Sequence, residues 1–130
     1  MAKILIVEDE SGIAQAFRKQ LTLIGGFEVE IAGGGKEALE KLANKGVYDL
    51  VLLDLVMPEV DGLAVLRELG ADKGKYGEVP VIILTNVTSD VTMQEALKLG
   101  AKEYIVKTDV DPDALITKIN AVIGGKNQGQ

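Results

Sequence analysis

Five short runs of β-branched residues and leucine, each followed by a stripe at helical spacing that ends in glycine, constrain this chain more than any other feature. The runs occupy residues 4–7, 29–32, 50–53, 81–84 and 104–106. Most are apolar at nearly every position instead of alternating, the pattern of strands covered by helices on both faces. The stripes are Ile13, Phe17, Leu21 and Ile24, then Ala38, Leu39, Leu42 and Ala43, then Leu63, Leu66 and Leu69, then Met93, Ala96 and Leu97, and last Leu115, Ile116, Ile119 and Ile123. Stops are read at Gly25-Gly26, near Gly46, at Gly70, at Gly100 and at Gly124-Gly125, because glycine past the last apolar position ends helices. Asp111 followed by Pro112 makes a good start for the fifth helix, a capping side chain and then a fixed φ.

Strands alternating with helices predict a parallel sheet with right-handed crossovers. For five strands the expected fold is α/β, a flavodoxin-like (βα)5 doubly wound sheet of order 2-1-3-4-5. Residues 71–79, with three glycines and mixed charge, read as a surface loop. The folded domain is expected over residues 1–124, with 125–130 as a polar tail. Met1 and that short tail lead to the expectation of a complete product without an effector domain.

Bulk properties exclude several functions. At 130 residues the chain can enclose one ordinary core. The formal net charge of −6 makes a nucleic-acid backbone an unsuitable direct partner. There is no cysteine and no histidine, so disulfides, thiolate metal sites, imidazole bases and a histidine phosphodonor are all ruled out. No apolar stretch approaches the ~20 residues of a membrane span, and no signal-like segment precedes the first strand. The expectation is a cytoplasmic domain with no membrane contact.

In open α/β sheets, ligands sit beyond the carboxyl ends of the strands where strand order reverses, here between strands 1 and 3. Strand 1 runs into Glu8-Asp9 and strand 3 into Asp54. With neighbouring strands ~4.8 Å apart, these carboxylates share one small region and repel unless a cation or protons intervene. Oxygen ligands without His or Cys suit Mg²⁺. Strand 4 ends at Thr85, a hydroxyl donor, and strand 5 at Lys107, a point positive charge. One metal, one ammonium and one hydroxyl would stabilise a transferring phosphoryl group, with the Asp54 carboxylate as nucleophile.

Taken singly, these residues are ordinary. Glu8 or Asp9 reads equally well as a helix cap or turn residue, Thr85 as a strand end, Tyr104 as packing and Lys107 as an exposed lysine. Their joint placement carries the information. Gly33-Gly34-Gly35 lacks phosphate-loop spacing and reads as a permissive start to helix 2, and Met57 as a turn-packing residue.

The set Glu8-Asp9, Asp54 before Leu55-Val56-Met57-Pro58-Glu59-Val60-Asp61-Gly62, Thr85 after Val81-Ile82-Ile83-Leu84, and Gly100-Ala101 leading to Tyr104-Ile105-Val106-Lys107 resembles the receiver domains of two-component response regulators, over residues 2–123. The resemblance implies a single-domain, CheY-like phosphoacceptor with Asp54 as the acceptor. It implies Mg²⁺ or Mn²⁺ on Asp9, Asp54 and the Val56 carbonyl, with Glu8 acting through a water. Thr85 would follow the phosphoryl group and Tyr104 would swing in response, moving the face of helix 4, strand 5 and helix 5. A histidine kinase or phosphotransfer protein would be the donor, and an output protein or a homodimer would use that face. Such a domain catalyses only its own phosphorylation and dephosphorylation.

Departures from the family pattern matter as well. Thr108 stands where a cis proline usually follows the lysine, and a cis bond before a non-proline costs roughly 2.5–4 kcal/mol, so a trans peptide is expected. Asn86, where alanine or glycine is usual, either narrows the opening or contacts the phosphoryl group. Val56 and Val87 stand where the family carries polar groups that position the hydrolytic water, which implies a long-lived phosphorylated state. The alternative reading is a pseudo-receiver, a phosphorylation-independent interaction module. An aspartyl phosphatase would want a second aspartate where Val56 stands. A flavodoxin would need a phosphate loop where Glu8-Asp9-Glu10 stand.

Overall fold

The computed structural model describes residues 1–127. Five strands form one parallel sheet: β1 (Lys3–Val7), β2 (Glu28–Ala32), β3 (Leu50–Leu53), β4 (Val81–Thr85) and β5 (Glu103–Val106). Their order is β2-β1-β3-β4-β5, as expected. The helices are α1 (Ser11–Leu23), α2 (Gly35–Leu42), α3 (Gly62–Ala71), α4 (Asp90–Lys98) and α5 (Pro112–Asn127).

Alternation along each strand divides the core in two. Ile4 and Ile6 of β1 join Leu50, Leu52, Ile82, Leu84 and Ile105 against Leu21 of α1 and Leu115 and Ile119 of α5. Leu5 and Val7 join Val51, Leu53, Val81 and Ile83 against Ala38 and Leu42 of α2, Val65 and Leu66 of α3 and Ala96 of α4. The sheet is therefore sandwiched, and β3 and β4 are buried at every residue. The two edge strands are more open: β2 has Glu28 and Glu30 alternating against Val29 and Ile31, and β5 buries only Ile105 fully.

Several expected boundaries shift. Ile24 is 57% exposed, past the end of α1, while Ala14 takes the buried place in that stripe. Helix α3 passes through Gly70 to Ala71. The segment expected as a loop holds a single helical turn, Lys73–Tyr76, capped by the Asp72 side chain, which accepts the Lys75 N–H at 3.1 Å. Tyr76 is buried there and donates its hydroxyl to Glu68 Oε2 at 3.2 Å, which accounts for the extra order. Helix α5 continues through Gly124-Gly125 to Asn127, so those glycines are not its stop, and residues 128–130 of the expected tail lie outside the described residues. Intrahelical bonding outweighs the modest helix penalty of glycine, about 1 kcal/mol each. Among the described residues no peptide bond is cis, so Lys107–Thr108 is trans as expected, and Lys107–Asp109 form a 3₁₀ turn into α5. No helix among the described residues is long and apolar enough to cross a membrane.

Candidate functional site

The register of the sheet decides which side chains meet. Val7 pairs with Ala32 on one side and Leu53 on the other, so Glu8 and Asp54 leave the carboxyl edge side by side. The Glu8 N–H donates to the Ala32 carbonyl at 3.0 Å and the Asp54 N–H to the Val7 carbonyl at 3.1 Å, which fixes both. Thr85 is in register with Val106, which brings Lys107 to the same edge.

The loop after β3 is held tightly. A Cβ on Gly62 would lie 2.3 Å from the Asp54 carbonyl oxygen and 2.8 Å from Leu55 Cα, so only glycine lets α3 start against the strand end. A Cβ on Gly35 would meet the Val60 carbonyl at 2.4 Å, so α2 packs on the same loop. Glu59 takes the left-handed conformation at φ 65°, uncommon for any residue but glycine. Asp61 caps α3 by accepting the Ala64 N–H at 2.9 Å.

Among the described residues Glu8, Asp54 and Thr85 are the buried polar ones, at 4%, 6% and 0% exposure. Asp9 is exposed at the mouth, and one carboxylate oxygen from each of Glu8, Asp9 and Asp54 lies within 4.8 Å of the others. The Lys107 ammonium reaches Asp54 Oδ2 at 2.9 Å and also bonds Glu8 Oε1. Asp54 Oδ1 accepts the Val56 N–H at 3.3 Å, and Glu8 Oε2 accepts the Glu10 N–H at 3.1 Å. The Tyr104 hydroxyl donates to the Val87 carbonyl at 2.7 Å, and the Val87 N–H donates to Thr85 Oγ at 3.4 Å. Thr85 and Tyr104 therefore hold the same residue of the β4–α4 loop.

Burial alone would raise the Asp54 pKa, but the Lys107 ammonium, the Thr85 hydroxyl and the Val56 N–H outweigh it and hold the carboxyl below its ordinary value. Burial pushes Glu8 above its ordinary value, against the pull of Lys107 and the Glu10 N–H. Burial opposes the Lys107 charge too, yet Glu8 and Asp54 raise its pKa. Tyr104 is raised by burial and by the negative charge on Asp54. A nucleophilic carboxylate kept ionised beside an ammonium and a hydroxyl is suited to accepting a phosphoryl group.

Each residue singled out in the sequence lies at this edge: Glu8, Asp9, Asp54, Thr85 and Lys107 around the pocket, Val56 through its main chain, and Tyr104 one step removed through Val87. The Val56 side chain is 64% exposed, Asn86 is exposed and Val87 half-buried, so the opening carries two apolar groups and one amide. Three features escaped sequence reasoning. The Lys107–Glu8 bond had no separate signal. The left-handed Glu59 was masked by its residue type. Gly62 could have been found, because a glycine following a capping Asp61 at a helix start asks for a steric reason.

The donor set also fits a hard divalent cation. Three carboxylates face one ammonium, all ligand atoms are oxygens, and the trio opens to solvent at Asp9.

A buried aspartate at the switch point of a 2-1-3-4-5 sheet, with carboxylates before it and a lysine and threonine around it, defines a doubly wound α/β domain with an acidic pocket at its carboxyl edge. Comparison with known proteins agrees. The model of the response regulator receiver domain matches residues 4–120. A probable transcriptional regulator, ycf27, of Guillardia theta is 37% identical over 126 residues, covering 97% of this chain and 47% of that protein. The response regulator ArlR of Staphylococcus saprophyticus is 37% identical over 123 residues, covering 95% of this chain and 53% of its own length. This chain thus spans about half the length of the curated relatives it matches. The crystal structure of a response regulator receiver domain protein from Clostridium thermocellum superimposes with a TM-score of 0.87 at 34% identity, covering 100% of both chains. The chain belongs to the response regulator receiver domain family.

Proposed function

We propose that this chain is the phosphoacceptor of a two-component phosphorelay, taking a phosphoryl group onto Asp54 from the phosphohistidine of a kinase or phosphotransfer protein in the cytoplasm. The observation that carries the reading is the Lys107 ammonium seated on the buried Asp54 carboxylate at 2.9 Å, with Thr85 beside it. An Asp54 carboxylate oxygen attacks phosphorus, the P–N bond to the donor imidazole breaks, and its electron pair stays on that nitrogen, which then takes a proton from solvent. Lys107 meets the charge gathering on the phosphoryl oxygens and Thr85 donates to one of them. Asp9, Asp54 and the Val56 carbonyl would hold Mg²⁺ or Mn²⁺, with Glu8 reached through a water, and that ion when bound supplies further positive charge there. As Thr85 turns to the phosphoryl group it lets go of the Val87 N–H, and the loop that Tyr104 holds is rebalanced. The face of α4, β5 and α5 then changes, to engage an output protein or a second copy.

Intact mass after incubation with acetyl phosphate, with and without Mg²⁺, tests this. One Mg²⁺-dependent phosphoryl adduct, absent in Asp54→Ala, is expected. No adduct on a folded protein would leave the pseudo-receiver reading in place. The decay of the adduct tests a second point. Val56 and Val87 offer no side-chain hydrogen bond to a hydrolytic water, so the adduct is long-lived and Val56→Asn shortens its lifetime. An unchanged lifetime would remove the basis for that idea.

A further inference from the structure

We propose that the groove at the amino edge of the sheet, between α3, the Lys73–Tyr76 turn and the start of β5, binds a small aliphatic carboxylate, its chain against leucine and valine and its head on Lys102. The cavity there measures about 620 Å³, the size of a small-ligand site. Its apolar wall comes from Leu66 and Leu69 of α3, which are buried, and from Val79 and Leu99, which are half-buried. No aromatic side chain lines it, so a ring would find no stacking partner and an aliphatic chain loses nothing by comparison. Gly70 lies in the same wall, and a Cβ built on it meets nothing within 4 Å. Val81 lines the groove while Thr85 stands at the acidic pocket, so the two ends of β4 serve separate sites, ~13 Å apart at the usual strand rise.

Charge decides the head group. The whole chain carries −6, yet the groove is lined by Lys73 and Lys102 against Glu78 alone. Lys73 lies 3.5 Å from Glu78, so those two charges offset each other. Lys102 is exposed and makes no ion pair among the described residues, which leaves one ammonium unmatched beside the apolar wall. Its main chain is fixed, because its N–H donates to the Val81 carbonyl at 2.8 Å. Free carbonyls at the end of α4 would favour a cation, but two of them are already taken. The Gly100 N–H donates to the Leu97 carbonyl and the Ala101 N–H to the Ala96 carbonyl, both at 3.1 Å. An ion pair as exposed as this contributes little by itself. The apolar contact therefore supplies most of the affinity, and Lys102 supplies the preference for a carboxylate over a neutral or cationic head.

Amide chemical shifts of the isotope-labelled full chain, titrated with sodium octanoate, 1-octanol and octyltrimethylammonium, test the proposal. Octanoate is expected to move the amides of Leu69, Gly70, Val79, Leu99 and Lys102 saturably, with a dissociation constant on the order of 1 mM. Octanol should bind about threefold more weakly, and the cationic probe more weakly still. Lys102→Gln should erase the advantage of octanoate over octanol, and Lys102→Glu should turn the preference toward the cation. Gly70→Leu keeps a good helix former in α3 and starts its side chain in the open space of the wall. It should abolish binding of all three probes while the rest of the amide spectrum stays in place. Equal affinity for the three probes, or an octanoate advantage that survives Lys102→Gln, overturns the assignment of the head group. No saturable shift, shifts scattered over the surface, or undiminished binding in Gly70→Leu overturns the site itself.

Discussion

The two ends of β1 carry lysine-centred charge clusters of similar make-up and opposite character. At its start, Lys3 bonds Glu30 at 2.8 Å and Glu28 at 3.4 Å, Lys41 approaches Glu30 at 3.6 Å, and Tyr48 donates to Glu30 at 2.6 Å. Just past its end, Lys107 bonds Glu8 and Asp54. The first group lies at the sheet edge with Glu28 and Glu30 at 57% and 37% side-chain exposure, whereas Lys107, Glu8 and Asp54 are at 10% or less. Water can replace any partner in the first cluster, so it tidies the edge strand and repels a second sheet. In the second cluster every lost partner leaves a buried charge, and three carboxylates still outnumber one ammonium. Residue types alone do not separate a structural ion cluster from a chemical one. Burial and an unbalanced charge do.

The largest effect that can break this contrast comes from the lysines. In urea unfolding without divalent cation, Lys107→Met is expected to lose about 3 kcal/mol, the usual cost of stranding a buried charge, whereas Lys3→Met leaves the midpoint nearly unmoved. Equal losses would mean that burial is not what distinguishes the clusters. Next come the two glycines of α3. Gly62→Ala forces a methyl into the Asp54 carbonyl and Leu55 Cα, main-chain atoms that cannot yield cheaply, and should cost about 1–3 kcal/mol and slow phosphoryl acceptance. Gly70→Ala, nearer the other end of the same helix with nothing within 4 Å of the new methyl, should gain about 0.5–1 kcal/mol. Smallest is a pH effect at the edge cluster. Bonds from Lys3 and Tyr48 hold Glu30 down at about 2, while burial and Glu30 push Tyr48 up to about 12. A depressed carboxyl stabilises the fold above its unfolded pKa, roughly 4.3 for glutamate. The small advantage of wild type over Glu30→Gln should therefore be complete at pH 6 and fade as pH falls from there through about 2. An advantage that persists unchanged at pH 2 would show that the carboxylate charge is not its source.

The sheet and the pocket were legible because they depend on short-range patterns. Apolar runs, interrupted only by Glu30 in β2, marked all five strands, and the polar residue after each of β1, β3 and β5 marked the edge where chemistry collects. What the sequence hid depends on tertiary context. Tyr76 orders its turn only because Glu68 and the core receive it. Gly124-Gly125 looked like a stop, yet the helix runs on. Ile24 fits a helical stripe but falls just past the last turn and stays exposed. Lys107 could be placed against Asp54 from strand order alone, but its bond to Glu8 needed the side-chain positions.

That bond joins residues 99 apart in the chain. The first strand also lies inside the sheet, flanked by the second and third, and the strand that brings Lys107 is the last to be made. During synthesis all three carboxylates have been added once residue 54 is made, whereas their lysine arrives only after the fifth strand. Long-range closure of this kind is slow and comes late in folding. A chain cut short before residue 107 would hold an uncompensated acidic crevice and no means of steadying a phosphoryl group. Completion of the pocket is thereby tied to the last strand, and a chain that lacks it keeps the acidic crevice without its counter-charge.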